Sequence, residues 1–213
     1  MMQLLDEIAE EHRLIDRVAG SLIRFAEWAT DGSVNASDVA DFARFFTTFV
    51  TGYHHEREEH VLFPALVNYA EVPGDRGPLA VIEAEHRAAA GLVDELAARA
   101  DDGGRPAEVA RRLAHHLWEH VDKEDSVLLP EAEKRLVRGG VTRLEGRPPT
   151  TVESEARDLG KRLIERLPPL DDPEAVRGDG CVACSAFTET CRGIEKEWWN
   201  TWETEYHRSL DEG

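Results

Sequence analysis

Four segments of this chain repeat apolar residues with a helical period, and a histidine interrupts each of the four stripes. At about 100° per residue, positions three, four and seven apart share one helix face. The first stripe reads Leu5, Ile8, His12, Ile15, Ala19, Ile23, and the second Thr47, Val50, His54, Glu58, Val61, Ala65. The third reads Leu79, Ile82, His86, Ala90, Val93, and the fourth Leu113, His116, His120, Glu124, Val127. Glu58 and Glu124 each sit one turn after a stripe histidine. A carboxylate on a core face is costly unless it is paired or bound to a cation. The faces that carry these residues must therefore meet around a common partner, which few arrangements of four helices allow.

Chain breaks give the organisation. The spacing predicts helices from about Leu4 to Thr30, from Asn35 or Ser37 to about Tyr69, from Pro78 to about Ala100, and from Pro106 to the "VRGG" turn. No alternating strand pattern is present. The expected fold is all-α, an up-down-up-down four-helix bundle over residues 1–139 with a C-terminal helical, cysteine-containing extension over 140–213. In the extension, "LEGRPPTT" reads as a linker, and Thr150 with Glu153 forms a capping-box pattern opening a helix to about Leu167.

The halves of the bundle repeat. "HEREEHVLFP" after His54 parallels "VDKEDSVLLP" after His120, pairing His54, Glu58, Val61 and Pro64 with His120, Glu124, Val127 and Pro130. "EEHR" around His12 parallels "EAEHR" around His86. One imidazole from each helix and two carboxylates able to bridge make a site for two first-row ions. Mixed nitrogen and oxygen ligands with open positions suit non-haem iron first, then manganese or zinc. A ferritin-like site needs two Glu-x2-His motifs, and only Glu83 to His86 fits among the core positions. Of the residues flanking the second stripe, Glu59 is the best candidate for an extra ligand or a carboxylate holding a ligand histidine. His55, Glu56 and His60 read as surface residues, and Tyr53 either lies beside the site, as an extra ligand or a group contacting one, or simply packs.

The ordered set His12, His54-x3-Glu58, His86 and His120-x3-Glu124 resembles the hemerythrin family, in its HHE cation-binding branch, over about residues 1–139. The resemblance implies a di-iron centre with bridging glutamates and terminal histidines. Oxygen-carrying hemerythrins have a second histidine four residues after the third-helix ligand, where this chain has Ala90. Their fourth-helix spacing is also longer than His-x3-Glu. His116, one turn before His120, either fills the missing place or is structural. These departures shift the expectation from reversible oxygen carriage toward redox chemistry or sensing.

Cys181, Cys184 and Cys191 follow "GDG" in a turn-rich segment. They read as a zinc site wanting a fourth ligand, as redox or substrate-handling thiols, or as inert cysteines. A final helix bearing Trp198, Trp199, Trp202 and Tyr206 is expected to dock on the bundle or cap one end of it.

Charge bounds the partners. With 43 acidic against 25 basic residues, nucleic acid and anionic membrane surfaces are poor partners. No apolar run approaches the roughly 20 residues of a membrane span, and the start lacks the pattern of a secretory signal, so a cytoplasmic protein is expected. The leading functional expectation is a non-haem di-iron protein that binds or reacts with dioxygen, peroxide or nitric oxide. The alternatives are a di-metal oxidase or oxygenase acting on a small organic molecule, with the extension shaping its pocket, and a non-enzymatic iron-responsive module.

Overall fold

A computed structural model describes residues 2–30, 36–99, 106–175 and 177. The cysteine segment and the tryptophan-bearing segment, with the expectations attached to them, lie outside the described residues. Among the described residues there are five helices and no strand. They are α1 (Gln3–Thr30), α2 (36–70), α3 (Gly77–Ala98), α4 (106–138) and α5 (Thr151–Arg166). No helix among the described residues is long and apolar enough to cross a membrane.

The helices form a bundle in which α1 packs on α4, α3 on α4, and α2 on α3. Two apolar clusters fill it. One gathers Ile15 to Ala26 of α1, the first half of α2, the end of α3, the start of α4 and the inner face of α5. The other gathers Leu4, Leu5 and Ile8 of α1, Leu62 to Ala70 of α2, Leu79 and Ile82 of α3, and Leu128 to Leu136 of α4. On α1, α2 and α3 the histidine of the stripe falls between the two, and on α4 His120 sits at the edge of the first, beside Val121. The polar residues therefore form one layer sealed above and below by hydrocarbon.

Described residues past 139 pack on this core. Ala156, Leu159, Leu163 and Ile164 of α5 join the first cluster, and α5 lies against α1 and α2. Its start is the expected capping box: the Glu153 amide donates to Thr150 Oγ1 at 3.3 Å, and the Thr150 amide donates to Glu153 Oε2 at 2.7 Å. The segment read as a linker is fastened rather than loose. Leu4 N–H donates to Leu144 O at 3.1 Å, and Arg147 donates to Gly52 O at 3.0 Å, to Glu56 at 3.0 Å and to Glu153 at 2.7 Å. Gly146 allows the close approach, since a Cβ there would meet Leu4 Cδ1 at 2.9 Å and Arg57 Cδ at 3.0 Å.

The Arg147 guanidinium holds the Glu153 carboxyl down to about 2, from an ordinary 4.5. A carboxyl depressed in the folded state contributes stability above its unfolded pKa, and that contribution is lost as pH falls through the folded value. Melting temperatures of wild type and Glu153→Gln should therefore differ above pH 4.5 and converge as pH falls toward 2. A constant difference across that window would place the effect elsewhere.

Candidate metal centre

Local helix geometry sets which side chains reach the polar layer. α2 is π-helical over Phe46–His55 and again over Glu58–Leu62, and α4 is π-helical over Glu124–Leu128. Phe63 N–H donates to Glu58 O, and Leu129 N–H donates to Glu124 O, five residues apart in both cases. Pro64 and Pro130 follow immediately in the two halves. Proline has no N–H to continue the ladder, and a turn widened by one residue absorbs the interruption. The widening also shifts the faces. Thr47, expected on the core stripe, is exposed, whereas His55, expected at the surface, is only 2% exposed. A stripe computed at 3.6 residues per turn loses its register through ten π-helical residues.

The six stripe residues His12, His54, Glu58, His86, His120 and Glu124 are brought together, all buried. His12 Nε2 lies 3.0 Å from Glu124 and 3.8 Å from Glu58. His54 Nε2 and His86 Nε2 lie 3.7 Å and 3.4 Å from Glu58, and His120 Nε2 lies 3.3 Å from Glu124. Ligand atoms of His12, His54, Glu58 and Glu124 fall within 4.8 Å of one another, and so do those of His55, Glu58, His86 and His120. Glu58 belongs to both groups. Donors opposite each other across a first-row ion are about 4 Å apart, so each group needs only slight contraction to hold one.

None of the four histidine Nε2 atoms, and neither oxygen of Glu58 or Glu124, has a hydrogen-bond partner. Buried polar atoms are almost always satisfied. Here eight of them face one another, and a cation fits what they lack.

A second layer fixes the imidazoles. His12 Nδ1 donates to Asp125 at 2.6 Å, His54 Nδ1 to Glu11 at 2.9 Å, His86 Nδ1 to Glu59 at 2.6 Å and His120 Nδ1 to Glu85 at 3.2 Å. An ionised carboxylate only accepts, so each Nδ1 carries a proton and each Nε2 is the atom turned toward the centre. The layer follows the internal repeat. Glu11 and Glu85 precede His12 and His86, while Glu59 and Asp125 follow Glu58 and Glu124. Glu11 is backed by Arg57 at 2.6 Å and Glu85 by Lys123, residues three positions after His54 and His120.

Charge follows this arrangement. Burial pulls His12 down, but Asp125, Glu124 and Glu58 outweigh it and hold the imidazole well above its ordinary range. Burial pushes Glu124 up, but His120 and His12 outweigh it and leave the carboxyl far below the usual range. Burial and the surrounding histidines push His55 well below its ordinary value, which leaves it neutral. Without metal the centre draws in a proton that a metal ion would have to displace.

Glu59, expected beside the site, holds His86. His116 joins neither ligand group and donates from Nε2 to Glu85 O at 2.8 Å. Tyr53 packs between Arg57 and Arg147, whose guanidiniums lie 4.4 Å and 5.1 Å from its ring centre. Cys181, Cys184 and Cys191 lie outside the described residues. Sequence reasoning missed His55, Glu11, Glu85 and Asp125. The repeated Glu-His pair in "EEHR" and "EAEHR" was the available signal for Glu11 and Glu85; π-helical register left none for His55.

The hemerythrin HHE cation binding domain matches residues 3–132 of the chain. No curated protein and no solved structure matches it.

Proposed function

Because the chain belongs to the hemerythrin HHE cation-binding family, we propose that residues 1–139 form an up-down-up-down bundle holding two iron ions. We propose further that the pair binds or reacts with dioxygen, peroxide or nitric oxide, in sensing, detoxification or redox chemistry. The observation that carries this reading is the layer of eight unpartnered, converging donor atoms on four helices. Bound iron would supply open coordination positions and exchangeable electrons.

The chain's own residues define the rest. His12 and His54 would serve one ion, His86 and His120 the other, with Glu58 spanning both and Glu124 beside His12 and His120. Asp125, Glu11, Glu59 and Glu85 keep a proton on each Nδ1 and so fix the direction of each Nε2. Burial pushes the Glu11 and Glu85 carboxyls up, but His54 and His120, with Arg57 and Lys123 behind them, outweigh it and hold both below the ordinary value. The two apolar clusters exclude water from the layer, which strengthens every charge interaction inside it.

Metal analysis of protein produced with iron available should find about two iron-class ions per chain, and fewer in His54→Ala or His120→Ala. A content near zero in the wild type would sink the proposal. A third metal, zinc, removed by Cys184→Ser alone, would assign Cys181, Cys184 and Cys191 to a structural site in the 140–213 extension.

One observation favours action on a small organic molecule. A cavity of about 550 Å³ lies between α1 and the 145–149 segment, lined among others by Glu7, Glu10, Glu11, Tyr53, Arg147 and Arg157. Glu11 thus touches both the cavity and His54. Anaerobic titration of the reduced protein with dioxygen, peroxide and nitric oxide, followed optically, separates the readings. Direct oxidation or ligand binding supports the first, and turnover only with an added organic reductant supports the second.

A further inference from the structure

We infer that His55 is a fifth histidine ligand, shared with His86 and His120 on one ion, and that the two ions are therefore held unequally. The inference rests on the two-ion reading above.

His55 is 2% exposed, and neither of its ring nitrogens has a partner. Burying an imidazole with both nitrogens unsatisfied costs several hydrogen bonds' worth of solvation, and a structure that gave nothing in return would not retain it. Its ring lies parallel to His86, with centroids 3.7 Å apart and planes 7° from parallel, and stands edge-on to His120 at 5.4 Å. A ligand atom of His55 falls within 4.8 Å of those of Glu58, His86 and His120. The backbone reason is the π-helical stretch that ends at His55, which turns this residue inward beside His54.

The internal repeat gives the consequence. With His54 and Glu58 aligned on His120 and Glu124, His55 aligns with Val121, a buried residue that carries no donor. Every other element of the layer is duplicated, including the Glu-His pairs and the backing cations. At this core position the halves differ, so the ion beside His86 and His120 gains a nitrogen that the ion beside His12 and His54 does not.

Cadmium-113 NMR on the full chain, loaded with cadmium and labelled with nitrogen-15 at histidine, tests this. Two cadmium resonances with nitrogen and oxygen ligation are expected, distinct from any thiolate-bound cadmium at Cys181, Cys184 and Cys191, with five imidazole rings showing coupling to metal. The fifth ring is assigned to His55 by its contacts with His86. In His55→Val, which copies the residue of the other half, one cadmium resonance should shift while its affinity falls more than tenfold. The other resonance should stay in place. Four coupled rings in the wild type, or a fifth belonging to His116, would overturn the inference while leaving the two-ion reading intact. Failure to see two such cadmium resonances would overturn that reading and the inference with it. The wild-type ring count decides the question even if His55→Val does not fold.

Discussion

Glu58→Ala should release both ions at once, whereas Glu124→Ala should leave one behind. Glu58 is common to both ligand groups, with Oε1 toward His12 and His54 and Oε2 toward His86. Glu124 belongs to one group only. At free metal a thousandfold above the dissociation constant, each bound ion stabilises the folded state by about 4 kcal/mol. In a chain of this length each kcal/mol moves the melting temperature by roughly 2–4 °C. Metal-saturated wild type should therefore melt more than about 10 °C above Glu58→Ala, with Glu124→Ala between them. A chelator should close both gaps. Melting scans paired with metal analysis read both effects. One tightly held ion remaining in Glu58→Ala would show that the two positions do not share this carboxylate.

Arg57→Ala should be the most damaging substitution outside the six stripe residues. Arg57 is fully buried and donates to Glu7 at 2.8 Å and to Glu11 at 2.6 Å, beneath the ring of Tyr53. Removing one member of a buried ion pair leaves the other charged and unpaired, at a cost of about 3–5 kcal/mol. Urea unfolding of the metal-free protein should read this loss. Glu11 also orients His54, so affinity at the His12 and His54 position should fall about 10- to 100-fold, as measured by competition with a chelating dye. Arg57→Lys copies Lys123, the equivalent residue of the other half, and should recover part of both effects, though lysine cannot make the two-pronged contact. Unchanged unfolding in Arg57→Ala would show that Glu11 is satisfied by His54 alone.

Regular helices were legible because a 3.6-residue period is a local property. All six stripe positions of α1, from Leu5 to Ile23, are buried as the spacing predicts. The Thr150–Glu153 capping box is equally local and forms as read. α2 failed where the period itself changed. Thr47 went out and His55 came in because the π-helical turns ahead of Pro64 moved the face by a residue. The "LEGRPPTT" segment is the non-helical connection it reads as, but its anchoring was not legible. Its composition says nothing of Arg147 reaching Gly52, Glu56 and Glu153 at once.

The sequence by itself determined that four amphipathic helices would carry His12, His54, Glu58, His86, His120 and Glu124 inward, since burial of apolar stripes leaves those residues nowhere else to go. Tertiary structure alone decided what surrounds them. His12 meets Asp125 across 113 residues of chain, and His54 meets Glu11 across 43. Periodicity places a side chain on a face but cannot say which neighbouring helix supplies the carboxylate that turns its ring. That choice is made by packing, where a buried imidazole N–H is costly until it finds an acceptor, and where one widened turn can add a fifth histidine to the layer.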